Sequence, residues 1–144
     1  MPQANSNGMV LEYETFGDRA GPPVLLIMGL GAQMTVWPDG FCQQLADQGH
    51  YVIRFDNRDV GMASRSAPAV RIPMRSTILR AVLHLPVSAP YTLSDMATDT
   101  VGLLDALQLD NAHIVGCSMG GMIAQTMALE YPERVRSLVS VQSH

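Results

Sequence analysis

The stretch "AHIVGCSMGGMIAQTMALEYPERV", residues 112–135, changes character at Ser118. The six residues before the serine form a short apolar run of the kind found in buried strands. The residues after it have the small and apolar side chains of a packed helix. Gly116 and Gly120 flank the serine in a Gly-x-Ser-x-Gly pattern. We interpret this pattern as a sharp strand-to-helix turn that presents the serine hydroxyl at the carboxyl end of the strand.

Strands and helices alternate on the amino-terminal side of this stretch. A strand pattern at residues 9–17 follows a turn-like segment, Asn5 to Gly8. A continuous apolar run at residues 24–29 predicts a strand buried on both faces, and residues 50–57 predict another buried strand. A short helix is predicted between them, at residues 41–49, and a last strand at residues 134–142.

The clearest helix is "TLSDMATDTVGLLDALQL", residues 92–109. Thr92 and Asp95 match a capping box at its start. The helical spacing predicts that Asp99 and Asp105 lie on its solvated side. Between residues 58 and 91 the chain is rich in proline and is predicted to be irregular, apart from one short helix at residues 75–85.

The alternation predicts an α/β fold, with a mostly parallel sheet flanked by helices in one domain, residues 1–144. Ligands of such sheets bind at the carboxyl ends of the strands. Ser118 is predicted to lie at one of these ends, so the fold and the motif indicate the same site.

The predicted chemistry is nucleophilic attack by Ser118 on a carbonyl group. Gly116 and Gly120 lack side chains, which on either side of a strained turn would collide with neighbouring atoms. The N–H of Met119, at the start of the following helix, is the first candidate donor to a developing oxyanion. The N–H of Leu30, between two glycines in the loop after the first buried strand, is the second. Taken alone, that loop is better explained as a simple strand-to-helix turn that needs glycine.

Composition excludes several other classes of function. The formal net charge is −4, all basic residues are arginine and no basic run occurs, which argues against a nucleic-acid partner. The absence of lysine excludes Schiff-base chemistry. Cys42 and Cys117 lack a metal-binding spacing, so no metal or cofactor is expected. No signal peptide or membrane-length apolar run is present, so a cytoplasmic location without membrane contact is expected.

With these motifs in view, the chain resembles the amino-terminal half of an α/β-hydrolase, from about residue 10 to residue 141. "VLLIMGLGAQMTVW" resembles the strand and oxyanion loop of that family, and residues 112–141 resemble its nucleophile elbow, helix and next strand. The segment "FDNRDVG", residues 55–61, most resembles the corresponding segment of esterases of the aclacinomycin methylesterase type. The resemblance implies hydrolysis of a small-molecule carboxylic ester by Ser118. Met28 and Cys117 stand where the family often has histidine.

The resemblance also implies that part of the catalytic apparatus is missing. In the family the acid and the histidine base follow the nucleophile on later strands, so the fold is expected to be truncated after the sixth strand. Among the four histidines, His50, His84 and His113 are interpreted as structural or solvent-facing residues. His144, at the end of the last predicted strand, is the candidate base. A histidine from another chain is the alternative.

Two other functions remain open from the sequence. The chain is alternatively a catalytically incomplete half-domain that needs a partner, or an acyltransferase or perhydrolase on the same scaffold. The last predicted strand is apolar and lacks lysine and proline, so its edge is expected to pair with another chain. That expectation predicts a homodimer or a complex with a complementary carboxyl-terminal half.

Overall fold

A six-stranded sheet forms the centre of the molecule in the computed structural model, which describes residues 1–61, 63 and 90–143. The order across the sheet is β1-β2-β4-β3-β5-β6. β1 and β2 run antiparallel to their neighbours, and the other strands are parallel. The strands are β1 (Gln3–Ser6), β2 (Met9–Phe16), β3 (Pro23–Ile27), β4 (Tyr51–Phe55), β5 (Ala112–Cys117) and β6 (Val135–Val141). The predicted α/β class is therefore confirmed.

Within the described residues, three α-helices connect these strands: α1 (Asp39–Asp47), α2 (Leu93–Ala106) and α3 (Met119–Glu130). Short 3₁₀ turns occupy Met34–Val36 and Pro132–Arg134. The predicted capping box is confirmed at the start of α2, where the Thr92 hydroxyl accepts from the N–H of Asp95 and the Asp95 carboxylate accepts from that of Thr92. The helix predicted at residues 75–85, with His84, lies outside the described residues.

The two faces of the sheet pack against different helices. Alternation along β3 sends Leu25 and Ile27 into a large core beneath α2 and α3, and Val24 and Leu26 into a smaller core beneath α1. All four side chains are buried, which explains why β3 has a continuous apolar sequence. Because β3, β4 and β5 run parallel, their carboxyl ends meet at one edge of the sheet, where the Gly-x-Ser-x-Gly motif lies.

The first strand, β1, was not predicted. Its sequence, "QANS", is polar, and Asn5 and Ser6 were assigned to a turn. The turn is in fact only Asn7-Gly8, because Ser6 pairs directly with Met9 across an antiparallel hairpin. Both turn residues have positive φ, 48° and 76°, as a two-residue type I′ turn requires. The Asn-Gly dipeptide was the sequence signal for this hairpin.

The prediction of a solvated Asp99 was wrong. Asp99 is only 3% exposed. Its carboxylate accepts from Arg58 Nε at 2.6 Å and Arg58 Nη2 at 2.7 Å, and from Asn7 Nδ2 at 3.0 Å. Helical spacing placed this residue opposite the apolar stripe, but the hairpin and the loop after β4 cover that side of α2. The buried carboxylate is tolerated because each oxygen has a charged or polar partner.

In the part of the chain that the structure describes, no helix has both the length and the apolar character needed to cross a membrane.

Candidate active site

Ser118 lies between β5 and α3 in an unusual backbone conformation. Its φ is 55° and its ψ is −126°, a region that residues with side chains rarely adopt. The Ser118 N–H donates to the carbonyl of Val141 on β6 at 2.9 Å, and its carbonyl accepts from the N–H of Gly121 at 2.9 Å. The side chain is exposed. The backbone is therefore held by its neighbours while the hydroxyl faces solvent.

Close packing explains the glycines on both sides of Ser118. A Cβ at Gly116 would lie 2.6 Å from the N atom of Gly121, and one at Gly120 would lie 2.8 Å from the carbonyl oxygen of Met28. Real Cβ atoms essentially never approach other atoms so closely. The first turn of α3 thus rests directly on the ends of β5 and β3.

The loop after β3 approaches Ser118 from the other side. A Cβ at Gly29 would lie 3.0 Å from Ser118 Cβ and 3.3 Å from Ser118 Oγ. Residues 29–32 form a turn in which the Ala32 N–H donates to the Gly29 carbonyl at 3.3 Å. Gly31 has a φ of 67°, as expected for the third residue of a type II turn.

The two candidate oxyanion donors belong to the residue after Gly29 and the residue after Ser118. Leu30 occupies the second position of the turn, whose own hydrogen bond joins Gly29 and Ala32 and leaves the Leu30 N–H unused within the turn. Its side chain is 62% exposed. Met119 is the first residue of α3, where the backbone N–H has no partner within the helix. The helix dipole adds positive potential at the same place.

The loop after β4 holds the loop after β3. Asn57 Nδ2 donates to the Met28 carbonyl at 2.9 Å, and the N–H of Met34 donates to Asp56 Oδ1 at 2.7 Å. Both polar side chains are buried, with 3% exposure. Burial raises the pKa of Asp56, and the hydrogen bond from Met34 opposes that shift. Two polar residues directly after a buried strand were the available signal.

The histidines are not brought to Ser118 within the described residues. His113 lies on β5, where its Nδ1 is 2.7 Å from the Ser137 hydroxyl, and His50 packs edge-on against it. Burial, and then the nearby Arg136 charge, lower the pKa of His113. His144 lies outside the described residues, so its role as base stays a prediction. Ser143, the residue before it, lies against Gly121 in the first turn of α3.

What the site offers chemically is a serine hydroxyl beside backbone donors. In residues 1–61, 63 and 90–143, no group of three His, Cys, Asp or Glu side chains could hold a metal ion. An exposed hydroxyl at the start of a helix, with a glycine loop beside it, suits attack on a carbonyl carbon and stabilisation of the resulting oxyanion.

This chain belongs to the alpha/beta hydrolase fold family, whose model matches residues 22–144. The resemblance drawn from the sequence is thereby confirmed. The match includes β3 to β6, the helices between them and the turn at Ser118.

Individual relatives are hydrolases and esterases. The chain is 42% identical over 130 residues to the rhodomycin D methylesterase DauP of Streptomyces sp. (strain C5), covering 90% of this chain and 38% of DauP. It is 36% identical to the putative carbamate hydrolase RutD of Variovorax paradoxus (strain S110), over 94% of this chain and 43% of the relative.

A solved structure of a hydrolase from Pseudomonas aeruginosa PA01 superposes with a TM-score of 0.75 at 30% identity. The superposition covers 97% of this chain and 44% of that protein. The chain thus spans about two fifths of the length of the relatives that it matches.

Proposed function

We propose that this protein is a serine hydrolase of carboxylic esters in which Ser118 is the nucleophile. The backbone of Ser118 carries the proposal. Its φ of 55° and ψ of −126° hold a residue with a side chain in a strained conformation. Such strain costs on the order of 1–3 kcal/mol and persists where the surrounding structure maintains it, often at functional sites. Here Gly116 and Gly120 allow the packing that maintains it.

In the proposed reaction, Ser118 Oγ attacks the carbonyl carbon of the ester and its proton passes to a histidine. The oxyanion of the tetrahedral intermediate accepts hydrogen bonds from the N–H groups of Leu30 and Met119. Collapse of the intermediate releases the alcohol, and water then hydrolyses the acyl-enzyme. His144 is the proposed base, with a histidine from another chain as the alternative.

The relatives support carboxylic esters as the substrate class. DauP is a methylesterase, and its identity to this chain extends over 90% of the chain. We therefore choose methyl esters, together with activated short-chain esters, as the first substrates to test.

Covalent labelling tests the nucleophile without requiring turnover. We expect a fluorophosphonate probe to attach to Ser118 Oγ of the folded protein with loss of fluoride, and Ser118→Ala to abolish the label. Ser137→Ala is the matched control and should leave labelling intact. Ser137 is a serine in contact with a histidine, but it lies within β6 and has no helix N-terminus beside it. A folded protein that takes no label would contradict the proposal and favour the incomplete half-domain.

We also propose that β6 pairs with another strand. β6 is the last strand of the sheet among the described residues, and from Arg136 to Val141 every residue is exposed. Val139 and Val141 are 49% and 40% exposed. An apolar edge of this kind provides unpaired backbone groups for another chain. The proposed occupant is β6 of a second copy in antiparallel pairing, or a complementary carboxyl-terminal half.

Sedimentation velocity at micromolar concentration tests the homodimer. We expect a dimer for the parent protein, and a monomer for Val139→Lys, because a charge on the paired face opposes association. Val36→Lys is the matched control, since Val36 is 52% exposed but lies in the 3₁₀ turn before α1. A soluble, folded monomer of the parent would contradict the homodimer.

A further inference from the structure

Two adjacent side chains after β4 hold both ends of the loop that contains Leu30. We call residues 28–34 the oxyanion loop, and Asp56 with Asn57 the clamp. Asn57 bonds the carbonyl of Met28 at the start of the loop, and Asp56 bonds the N–H of Met34 at its end. Both bonds join a buried side chain to the main chain of another element.

The clamp itself is fixed to the sheet. The N–H of Asp56 donates to the carbonyl of Glu12 on β2 at 2.9 Å. Two residues earlier, Arg54 bonds the Glu14 carboxylate through its Nε at 2.9 Å and also donates to the carbonyl of Trp37, just beyond the loop. The clamp therefore extends from a strand that is held on both sides, so it transmits the position of the sheet to the loop.

Peptide geometry shows why the Met28 carbonyl matters. The planar peptide joins the Met28 carbonyl to the N atom of Gly29, so the bond from Asn57 fixes that plane. Only the two dihedral angles of Gly29 separate this plane from the one that carries the Leu30 N–H. Ser118 lies so close to Gly29 that a side chain there would crowd it, yet glycine is the residue with the most backbone freedom. An anchor immediately before Gly29 restricts that freedom.

We propose that Asp56 and Asn57 are positioning residues that fix the Leu30 N–H beside Ser118 for oxyanion binding. The inference rests on the proposed serine hydrolase function. The clamp does not contact the substrate; it acts through the oxyanion loop. A misplacement of about 1 Å in a catalytic group is enough to lower a rate by about 10²-fold.

Asn57→Asp is the principal test, because it keeps the shape of the side chain and removes the donor to Met28. With a short-chain ester we expect kcat to fall by about 10- to 100-fold with KM unchanged, since the donor acts on the transition state. The rate of labelling by the fluorophosphonate should fall in parallel. Asp56→Asn keeps an acceptor oxygen for Met34 and should retain more activity than Asp56→Ala, which removes it.

Thr100→Val is the matched control. Like Asn57→Asp, it removes one buried hydrogen bond and keeps the shape of the side chain. The bond that it removes joins Thr100 Oγ1 to the Met96 carbonyl at 2.8 Å and lies within α2. Its kinetics should match those of the parent even where its Tm is lower. If Asn57→Asp labels and turns over like Thr100→Val, the positioning role is wrong while the serine hydrolase proposal stands. If the folded parent is never labelled, the proposed function fails and the positioning role fails with it.

Discussion

Replacing Ser118 with alanine is expected to lower kcat for a short-chain activated ester by at least about 10³-fold, the scale of loss when a triad member is removed. The hydroxyl is the only group that the substitution deletes. The donors of Leu30 and Met119 and the surrounding surface remain, so KM should change little. Initial rates over a range of ester concentrations separate kcat from KM. Activity that survives the substitution would rule out Ser118 as the nucleophile.

The same position allows a test of the strained turn. Alanine at residue 118 keeps the Cβ that makes a φ of 55° and a ψ of −126° unfavourable, whereas glycine relieves it. Ser118→Gly should therefore have a higher Tm than Ser118→Ala, although both lack the hydroxyl. Equal or reversed Tm values would mean that the backbone at Ser118 is not strained. The main argument for a functional turn would then fail.

Most of the fold was predictable because the buried strands differ so clearly from their surroundings. β5 was predicted with its observed bounds, and α2 with its capping box, because local spacing and capping residues define both. β1 was missed because its residues are polar and its stability comes from pairing with β2 and packing of the hairpin on α2. Such tertiary contacts leave little trace in a short segment.

The candidate site was predictable where one motif contains the chemistry. The motif spans only five residues, Gly116 to Gly120 with Ser118 between them. Residues so close in sequence must also be close in space, so the sequence alone indicates their arrangement. Asp99 shows the opposite case, since its partner Arg58 is 41 positions away and no local pattern joins them. The same holds for Asn57 and Met28, which are 29 positions apart.

The turn at Ser118 depends on the close approach of α3 to the end of β3 at Gly120. A Cβ at this position would overlap the carbonyl oxygen of Ile27 and lie 2.8 Å from that of Met28. Both obstacles are backbone atoms, which do not move aside as a flexible side chain does. Any side chain here must therefore push α3 away from the sheet, and Ser118 moves with the helix because it immediately precedes the first helical residue.

Gly120→Val is thus expected to lower the free energy of unfolding by more than about 3 kcal/mol, above the usual cost of an overpacked core side chain. Poor folding is expected, and not a stable protein that has lost only activity. Gly40→Ala is the matched control, because a Cβ there meets nothing within 4 Å and the residue lies in α1; its stability should be unchanged or slightly higher. Urea unfolding compares the variants. A stable, active Gly120→Val protein would show that α3 does not rest on β3 as described.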